Sequence, residues 1–323
     1  MNRAVVAADI GGTHARFALA EVAGGRVVSL GEPATLRTAD HDSLQSAWGE
    51  LGRITGTGLP GNLAMAFAGP INEQTLKLTN SSWVIERNLL GEQLGIVLCT
   101  IVNDFGAVAH AVARLGQENF EQICGPPGPR PETGMTSVIG LGTGLGVAQL
   151  LRTDDGYHVI ETEGGHIGFA PKDEVEDRLL AFLRLRFPRV SVERIVAGSG
   201  LANIYAAMAA SEQRAVPTLG DELVWKAAID GSDPLATAAL DRLLNLFGAV
   251  AGDLALAHGS NEVVIAGGLG YRLKDRLAAS GFAAHFIEKG RFRERMETIP
   301  VRMLNHPQPG LYGAAAAFAR EYP

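Results

Sequence analysis

The sequence predicts an α/β fold in two domains with a duplicated core, and three observations carry that prediction. The chain has 323 residues, about twice the length of an ordinary domain of roughly 100–200 residues. Buried-type apolar runs alternate with helical stretches in both halves, the pattern of α/β layers. A strand–turn–strand unit in the first half recurs in the second at an offset of 130 residues.

The first copy of that unit is Val5 to Ala8, then Asp9-Ile10-Gly11-Gly12-Thr13, then His14 to Leu19, followed by a Gly24-Gly25 turn and Arg26-Val27-Val28. The second is Ser137 to Leu141, Gly142-Thr143-Gly144, Leu145 to Ala148, with Asp154-Asp155-Gly156 leading into Tyr157 to Ile160. Placing Gly12-Thr13 over Gly142-Thr143 aligns three strands and two turns. Each half then carries a strand running into a helix. In the first half Thr100 to Asn103 leads into an Ala-rich helix from Phe105 to Leu115; in the second, Glu262 to Ala266 leads through Gly267-Gly268 into a helix over Tyr271 to Ala279.

Asp173 to Phe187 reads as a core-facing helix, acidic at its start and basic at its end, as the helix dipole prefers. Ser232-Asp233-Pro234 supplies a cap and an N1 proline for a long helix reaching Ala257. Gly125 to Gly134, with its four prolines, is a loop. A Gly310-to-Gly313 turn precedes a last helix, Ala314 to Tyr322. The expected domains are 1–108 with 301–323, and 109–300.

Composition narrows the function. Forty glycines are about one residue in eight, against an average near 7%. With 15 prolines, 46% hydrophobic residues and no Gly-X-Y period, the chain is globular rather than fibrous or disordered. Lys and Arg number 28 against 35 Asp and Glu, a net charge of −7, which argues against nucleic-acid binding through an overall field. The basic cluster Lys289, Arg291, Arg293 and Arg295 reads as a solvated loop. Two cysteines, Cys99 and Cys124, are too few for a disulfide framework; they read as reduced thiols, with one isolated bridge as the alternative. The longest uncharged stretch, Thr133 to Leu151, holds five glycines and is a poor membrane span. Asp9 ends the apolar run from Ala4 too early for an export signal, so a cytoplasmic location is expected.

Glycine turns at strand ends suit a nucleotide, because backbone N–H groups can approach phosphates closely there. The Walker A pattern, the Gly-x-Gly-x-x-Gly dinucleotide spacing and the Gly-x-Ser-x-Gly elbow are all absent. Asp9 beside Gly11-Gly12-Thr13 suits a metal-bound triphosphate: N–H groups and the Thr13 hydroxyl to phosphate oxygens, and Asp9 to Mg²⁺ through its waters. A hairpin whose Asp and Thr only cap the turn is the plainer alternative.

Asp9-Ile10-Gly11-Gly12-Thr13, Gly142-Thr143-Gly144 and Ile265-Ala266-Gly267-Gly268 resemble the phosphate-1, phosphate-2 and adenosine motifs of the actin/Hsp70/sugar-kinase superfamily. More closely, the chain resembles bacterial glucokinases of the enteric type, from residue 4 to about 320. Ile101 to Phe105, Gly142 to Gly146, Glu163-Gly164-Gly165-His166, Ser191 to Arg194 and Pro309-Gly310-Leu311 carry the likeness. A neighbouring group of kinases and repressors shares Glu-Gly-Gly-His but adds a cysteine-rich zinc motif after it. Here no cysteine follows Cys124, so no such zinc site can form.

The resemblance implies an actin-like ATPase (ribonuclease H-like) fold with an interdomain cleft. It implies ATP with Mg²⁺ on Asp9, Ile10, Gly11, Gly12, Thr13, Gly142, Thr143, Gly144, Gly267 and Gly268, and a homodimer. It also implies glucose bound by Asn103, Asp104, Glu163, His166 and Glu193, with Asp104 as general base for phosphoryl transfer to the 6-hydroxyl. Carboxylates and amides suit a hexose because paired, charge-assisted hydrogen bonds read its hydroxyls. From the residues alone, Asn103-Asp104 reads equally as a helix cap, His166 as a core histidine and Glu193 as a first-turn acid. The rival functions are a kinase for mannose, fructose or an N-acetylhexosamine, and a non-catalytic sugar sensor. A sensor is expected to carry a DNA-binding extension before the first strand, which this chain enters by residue 4.

Overall fold

The computed structural model describes residues 2–56, 58–71, 74–78, 81–214 and 220–323. They form two compact units: Met1–Gly116 with Val159–Glu161 and His306–Pro323, and Gln117–His158 with Thr162–Asn305.

In the first unit, β1 (Arg3–Ile10) and β2 (His14–Ala23) form an antiparallel hairpin, extended by β3 (Arg26–Leu30) and β4 (Ala34–Arg37). After α1 (Leu44–Thr55), β5 (Asn62–Phe67) lies parallel to β1. A small β6 (Thr75–Lys77) and β7 (Val84–Glu86) ribbon and the short α2 (Leu90–Leu94) lead to β8 (Leu98–Asn103), parallel to β5. α3 (Asp104–Arg114) follows at once. The strand order is β3-β2-β1-β5-β8, with β4 also on β2.

Both faces of this sheet are covered, which is why β1 reads as a continuous apolar run rather than an alternating one. Val6, Ala8, Ile10 and Phe17 pack with Trp48 and Leu51 on one side. Val5, Ala7, Ala64 and Ala66 pack with Ala107, Leu311 and Phe318 on the other.

The C-terminal helix runs Pro309–Glu321, so the expected Gly310-to-Gly313 turn is in fact its first turn. Pro309 is its N1 proline. A side chain at Gly313 would overlap the Ala107 carbonyl, so this glycine allows two helices to approach rather than reversing the chain.

The second unit repeats the hairpin. Beside β9 (Phe120–Cys124), strands β10 (Gly134–Leu141), β11 (Leu145–Thr153) and β12 (Gly156–Thr162) precede a helical block. That block comprises α4 (Glu174–Arg184), α5 (Gly200–Ser211), α6 (Asp221–Asp230) and α7 (Pro234–His258). Then come β13 (Glu262–Ala266), four short helices, α8 (Gly268–Arg272), α9 (Lys274–Ala279), α10 (Phe282–Ile287) and α11 (Arg293–Glu297), and β14 (Val301–Leu304). The strand order is β12-β11-β10-β13-β14-β9. The two hairpins differ by one residue: the last pairs are Ile10 with Ala15, and Leu141 with Leu145.

Asp233 caps α7 as expected, accepting the Leu235 N–H at 2.9 Å, and Gly259 ends it in the left-handed region at φ 67°. By length and composition α7 could cross a membrane, but 72% of its most apolar window is buried in the fold. The expected Tyr271-to-Ala279 helix is two helices, α8 and α9, divided at Leu273. The expected solvated basic loop is partly helical, and the Lys289 side chain is only 8% exposed: its Nζ donates to the Ala249 carbonyl at 2.8 Å and pairs with Asp253 at 2.9 Å. The Pro-rich loop is anchored through Arg130, which shares the fully buried Glu262 with Arg302, each pairing at 2.9 Å. Cys99 and Cys124 are free thiols, pushed by burial up to about 12 and about 11.

Candidate active site

In the first unit, β1 ends at Asp9-Ile10 and the chain reverses through Gly11 to Thr13. The Gly11 N–H donates to the His14 carbonyl at 2.9 Å. Thr38 clamps the turn from below, its hydroxyl donating to the Gly12 carbonyl at 2.7 Å and its N–H to the Thr13 carbonyl at 3.1 Å. The Gly12 and Thr13 carbonyls are thus engaged. Among the described residues the Gly12 and Thr13 N–H groups have no partner, an arrangement suited to an anion.

Asp9 lies opposite Arg16 across the hairpin, with the Arg16 Nη1 at 3.5 Å from its Oδ2. Burial pushes the Asp9 carboxyl above its usual value, and Arg16 opposes that rise. The missing side chain of Gly310 leaves room for this carboxylate, whose Oδ2 lies 2.9 Å from where a Cβ would stand. Arg16 escaped the sequence reading. Its signal was there, since the length of the hairpin turn places residue 16 across from residue 9.

β8 delivers Asn103 and Asp104 to the same edge of the sheet. Ile10 is in register with Phe67, and Phe67 with Asn103. Two strand spacings therefore separate the Asp9 turn from Asn103, about 10 Å. Asn103 is the N-cap of α3: its Oδ1 accepts the N–H groups of Phe105 at 2.9 Å and Gly106 at 3.2 Å. The cap consumes only the amide oxygen, so its Nδ2 has no partner among the described residues. Asp104, in the first helical turn and half-buried, accepts the Phe105 N–H at 2.9 Å through Oδ1. The backbone N–H of Asn103 donates to Glu161 Oε1 at 2.8 Å, and burial pushes the Glu161 carboxyl upward. Glu161 was not singled out from sequence because the contact spans 58 residues.

The second unit gathers the remaining candidates. Gly142-Thr143-Gly144 closes β10 onto β11, with the Gly142 N–H donating to the Gly144 carbonyl at 3.0 Å. Among the described residues, the Thr143 and Gly144 N–H groups have no partner. The Gly198 N–H holds the Gly142 carbonyl at 2.8 Å, and Trp225 holds the Gly198 carbonyl at 2.7 Å. Gly267, at φ 92°, sits where a Cβ would come 2.6 Å from the Leu141 carbonyl oxygen. Only glycine brings that third turn so close to the second.

Glu163 precedes a single 3-10 turn, Gly164–His166, stacked on the start of β11. A Cβ at Gly164 would stand 2.9 Å from Val147, and one at Gly165 would overlap the Leu145 carbonyl. His166 Nε2 lies 3.9 Å from Glu163 Oε2 and 4.0 Å from Glu193 Oε1. Glu193 stands on another 3-10 turn, Val192–Arg194, rather than at an α-helix start. A short antiparallel lacing holds the two turns in register. The Phe169 N–H donates to the Val190 carbonyl at 3.1 Å, the Val192 N–H to the Ile167 carbonyl at 2.9 Å, and Arg189 to the His166 carbonyl at 2.7 Å. His166 is exposed rather than a core residue.

The expected residues thus fall into two sets. Asp9 to Thr13 with Asn103 and Asp104 share one sheet edge; Gly142 to Gly144, Gly267-Gly268, Glu163, His166 and Glu193 cluster in the other unit.

The chain is similar over nearly its whole length to known proteins. The family model for glucokinase matches residues 6–321. The chain is 54% identical over 318 residues to a glucokinase of Zymomonas mobilis subsp. mobilis, covering 98% of each. A solved glucokinase structure from an Antarctic psychrotroph superposes with a TM-score of 0.84 at 33% identity, covering 98% of each chain. A glucokinase of Balamuthia mandrillaris in complex with glucose shares the fold, with a TM-score of 0.79 at 21% identity, over 99% of this chain and 93% of that one. The two-unit α/β architecture is the actin-like fold of these sugar kinases. On these grounds the chain belongs to the glucokinase family.

Proposed function

We propose that this protein transfers the γ-phosphoryl group of ATP to the 6-hydroxyl of D-glucose, giving glucose 6-phosphate and ADP. The single observation behind the chemistry is the strand register that sets the Asp9–Thr13 turn and Asp104 on one sheet edge, two strands apart. Family membership supports the substrate.

The unpartnered N–H groups of Gly12, Thr13, Thr143 and Gly144 bind phosphate oxygens, with Gly267 and Gly268 beside the nucleoside. Asp9 fits a cation, being a half-buried carboxylate whose ionisation burial disfavours. Asp9 would hold Mg²⁺ beside the phosphates. Bound there, Mg²⁺ neutralises phosphate charge. Asn103 Nδ2, Glu163, His166 and Glu193 hold the sugar hydroxyls.

Asp104 takes the proton of the 6-hydroxyl as its oxygen attacks the γ-phosphorus and the bond to the β–γ bridging oxygen breaks. ADP leaves with that electron pair. A positioned base contributes about 10²–10⁴-fold; orientation and charge neutralisation supply the rest. Family resemblance also supports a cytoplasmic homodimer, whose mass light scattering reads.

A coupled assay of ADP formation across glucose, mannose, fructose and N-acetylhexosamines tests the reading, with ³¹P NMR of the product. Glucose should give the highest kcat/KM and a 6-phosphate. Preference for another hexose, or no turnover on any sugar, contradicts it.

A further inference from the structure

Glu193 has two carboxylate oxygens directed at two different parts of the second unit. Oε2 accepts the backbone N–H of Leu145 at 2.9 Å, the first residue after the Gly142-Thr143-Gly144 turn. Oε1 faces His166 Nε2 at 4.0 Å. The carboxylate reaches Leu145 because Gly144 has no side chain: a Cβ there would stand 2.5 Å from Oε2. Gly144 is not among the glycines with positive φ, so this position needs glycine for space rather than for backbone conformation. The sugar-side turn is stacked on the same residue from the other side, Gly165 lying against the Leu145 carbonyl. Leu145, the residue after the turn, is therefore held at its N–H by Glu193 and covered at its carbonyl by the Glu163–His166 turn.

We infer that Glu193, beyond touching the sugar, is a positioning residue that couples nucleotide occupancy of the Gly142–Gly144 turn to sugar occupancy at His166. This rests on the functional reading above. The carboxylate is a rigid plane. A sugar hydroxyl that draws Oε1 into a new hydrogen bond rotates or translates Oε2 with it, moving the Leu145 N–H and the turn before it. Phosphate binding at the turn acts on Oε1 by the same route. By linkage, the factor by which nucleotide changes sugar affinity must equal the factor by which sugar changes nucleotide affinity.

The test is calorimetric titration of glucose in the absence and presence of saturating AMPPNP with Mg²⁺, and of AMPPNP with and without glucose. Wild type should show equal, reciprocal factors of about fivefold or more. Gly144→Ala drives the carboxylate off Leu145, and Glu193→Asp shortens its reach by one methylene. Either should weaken binding of the ligand it touches, and the factor, a ratio of that variant's own affinities with and without the other ligand, should fall to within twofold of unity. Circular dichroism and melting identify which variants are folded, and the factor is read from those. A wild-type factor near unity, or an undiminished factor in a folded variant, overturns the coupling. Failure of wild type to bind glucose or AMPPNP at all overturns the functional reading instead.

Discussion

Replacing Gly165 with alanine is the sharpest perturbation of the Glu163–His166 turn proposed to hold the sugar. The added methyl would overlap the Leu145 carbonyl oxygen, a backbone atom that cannot rotate away. Clearing it requires the turn or β11 to move by about 1 Å, a displacement that costs on the order of 10²-fold when it misplaces a reacting group. A 10²-fold loss in kcat/KM is about 2.7 kcal/mol of transition-state stabilisation. The neighbours grade the effect. At Gly164 the obstacle is the Val147 side chain at 2.9 Å, and at Gly168 nothing stands within 4 Å. The expected order of loss in glucose kcat/KM is Gly165→Ala, then Gly164→Ala, with Gly168→Ala close to wild type. Steady-state kinetics with a coupled ADP assay reads it, alongside melting curves that confirm folding. A folded Gly165→Ala enzyme with wild-type kcat/KM, or equal losses at Gly165 and Gly168, would refute the packing argument.

Other predictions concern charge. Arg16 opposes the burial-driven rise of the Asp9 carboxyl, so Arg16→Gln should raise it further and move the acid limb of kcat/KM for Mg·ATP to higher pH; an unmoved limb contradicts the pairing. Buried His110 is depressed from 6.5 to about 4, first by burial and then by Arg320 and Arg114. The unfolded chain therefore binds the extra proton first: this stability is full above about pH 6.5 and is lost as pH falls through about 4. It amounts to about 3 kcal/mol, and urea titrations of His110→Gln from pH 7 to 4 should lack that part of the acid loss. Trp225 holds the Gly198 carbonyl, which is one bond from the Gly142 turn. Adding AMPPNP should change tryptophan fluorescence in wild type and not in Trp225→Phe; an unchanged signal in both would separate α6 from the nucleotide.

Much of this was legible in the sequence because it is local. The duplicated hairpins, the Asp233-Pro234 start of α7 and the helix following Asn103 all follow from apolar period, glycine turns and caps. The Asn103 alternatives turned out compatible, since a cap uses the amide oxygen and a ligand can use the nitrogen. What sequence missed is tertiary. Gly310 and Gly313 read as a turn because glycine marks turns, yet they lie in a helix that must pass Asp9 and Ala107 closely. Glycines on α7 act likewise, Gly248 and Gly252 lying against the Phe282 and Phe286 carbonyls, and this explains part of the glycine excess that the proposed nucleotide turns leave over. Glu161 and Arg189 were invisible because their partners, the Asn103 N–H and the His166 carbonyl, are backbone atoms distant in sequence. Lys289 looked solvated because nothing local announces the Asp253 carboxylate and the Ala249 carbonyl that pair with it.

The central claim is that Asp104 is the base of a glucose kinase. The most direct measurement is turnover of purified Asp104→Ala with Mg·ATP and saturating glucose, beside wild type and with matched melting curves. The account predicts a kcat lowered about 10²–10⁴-fold in a folded protein. A folded variant turning over within threefold of wild type would contradict it.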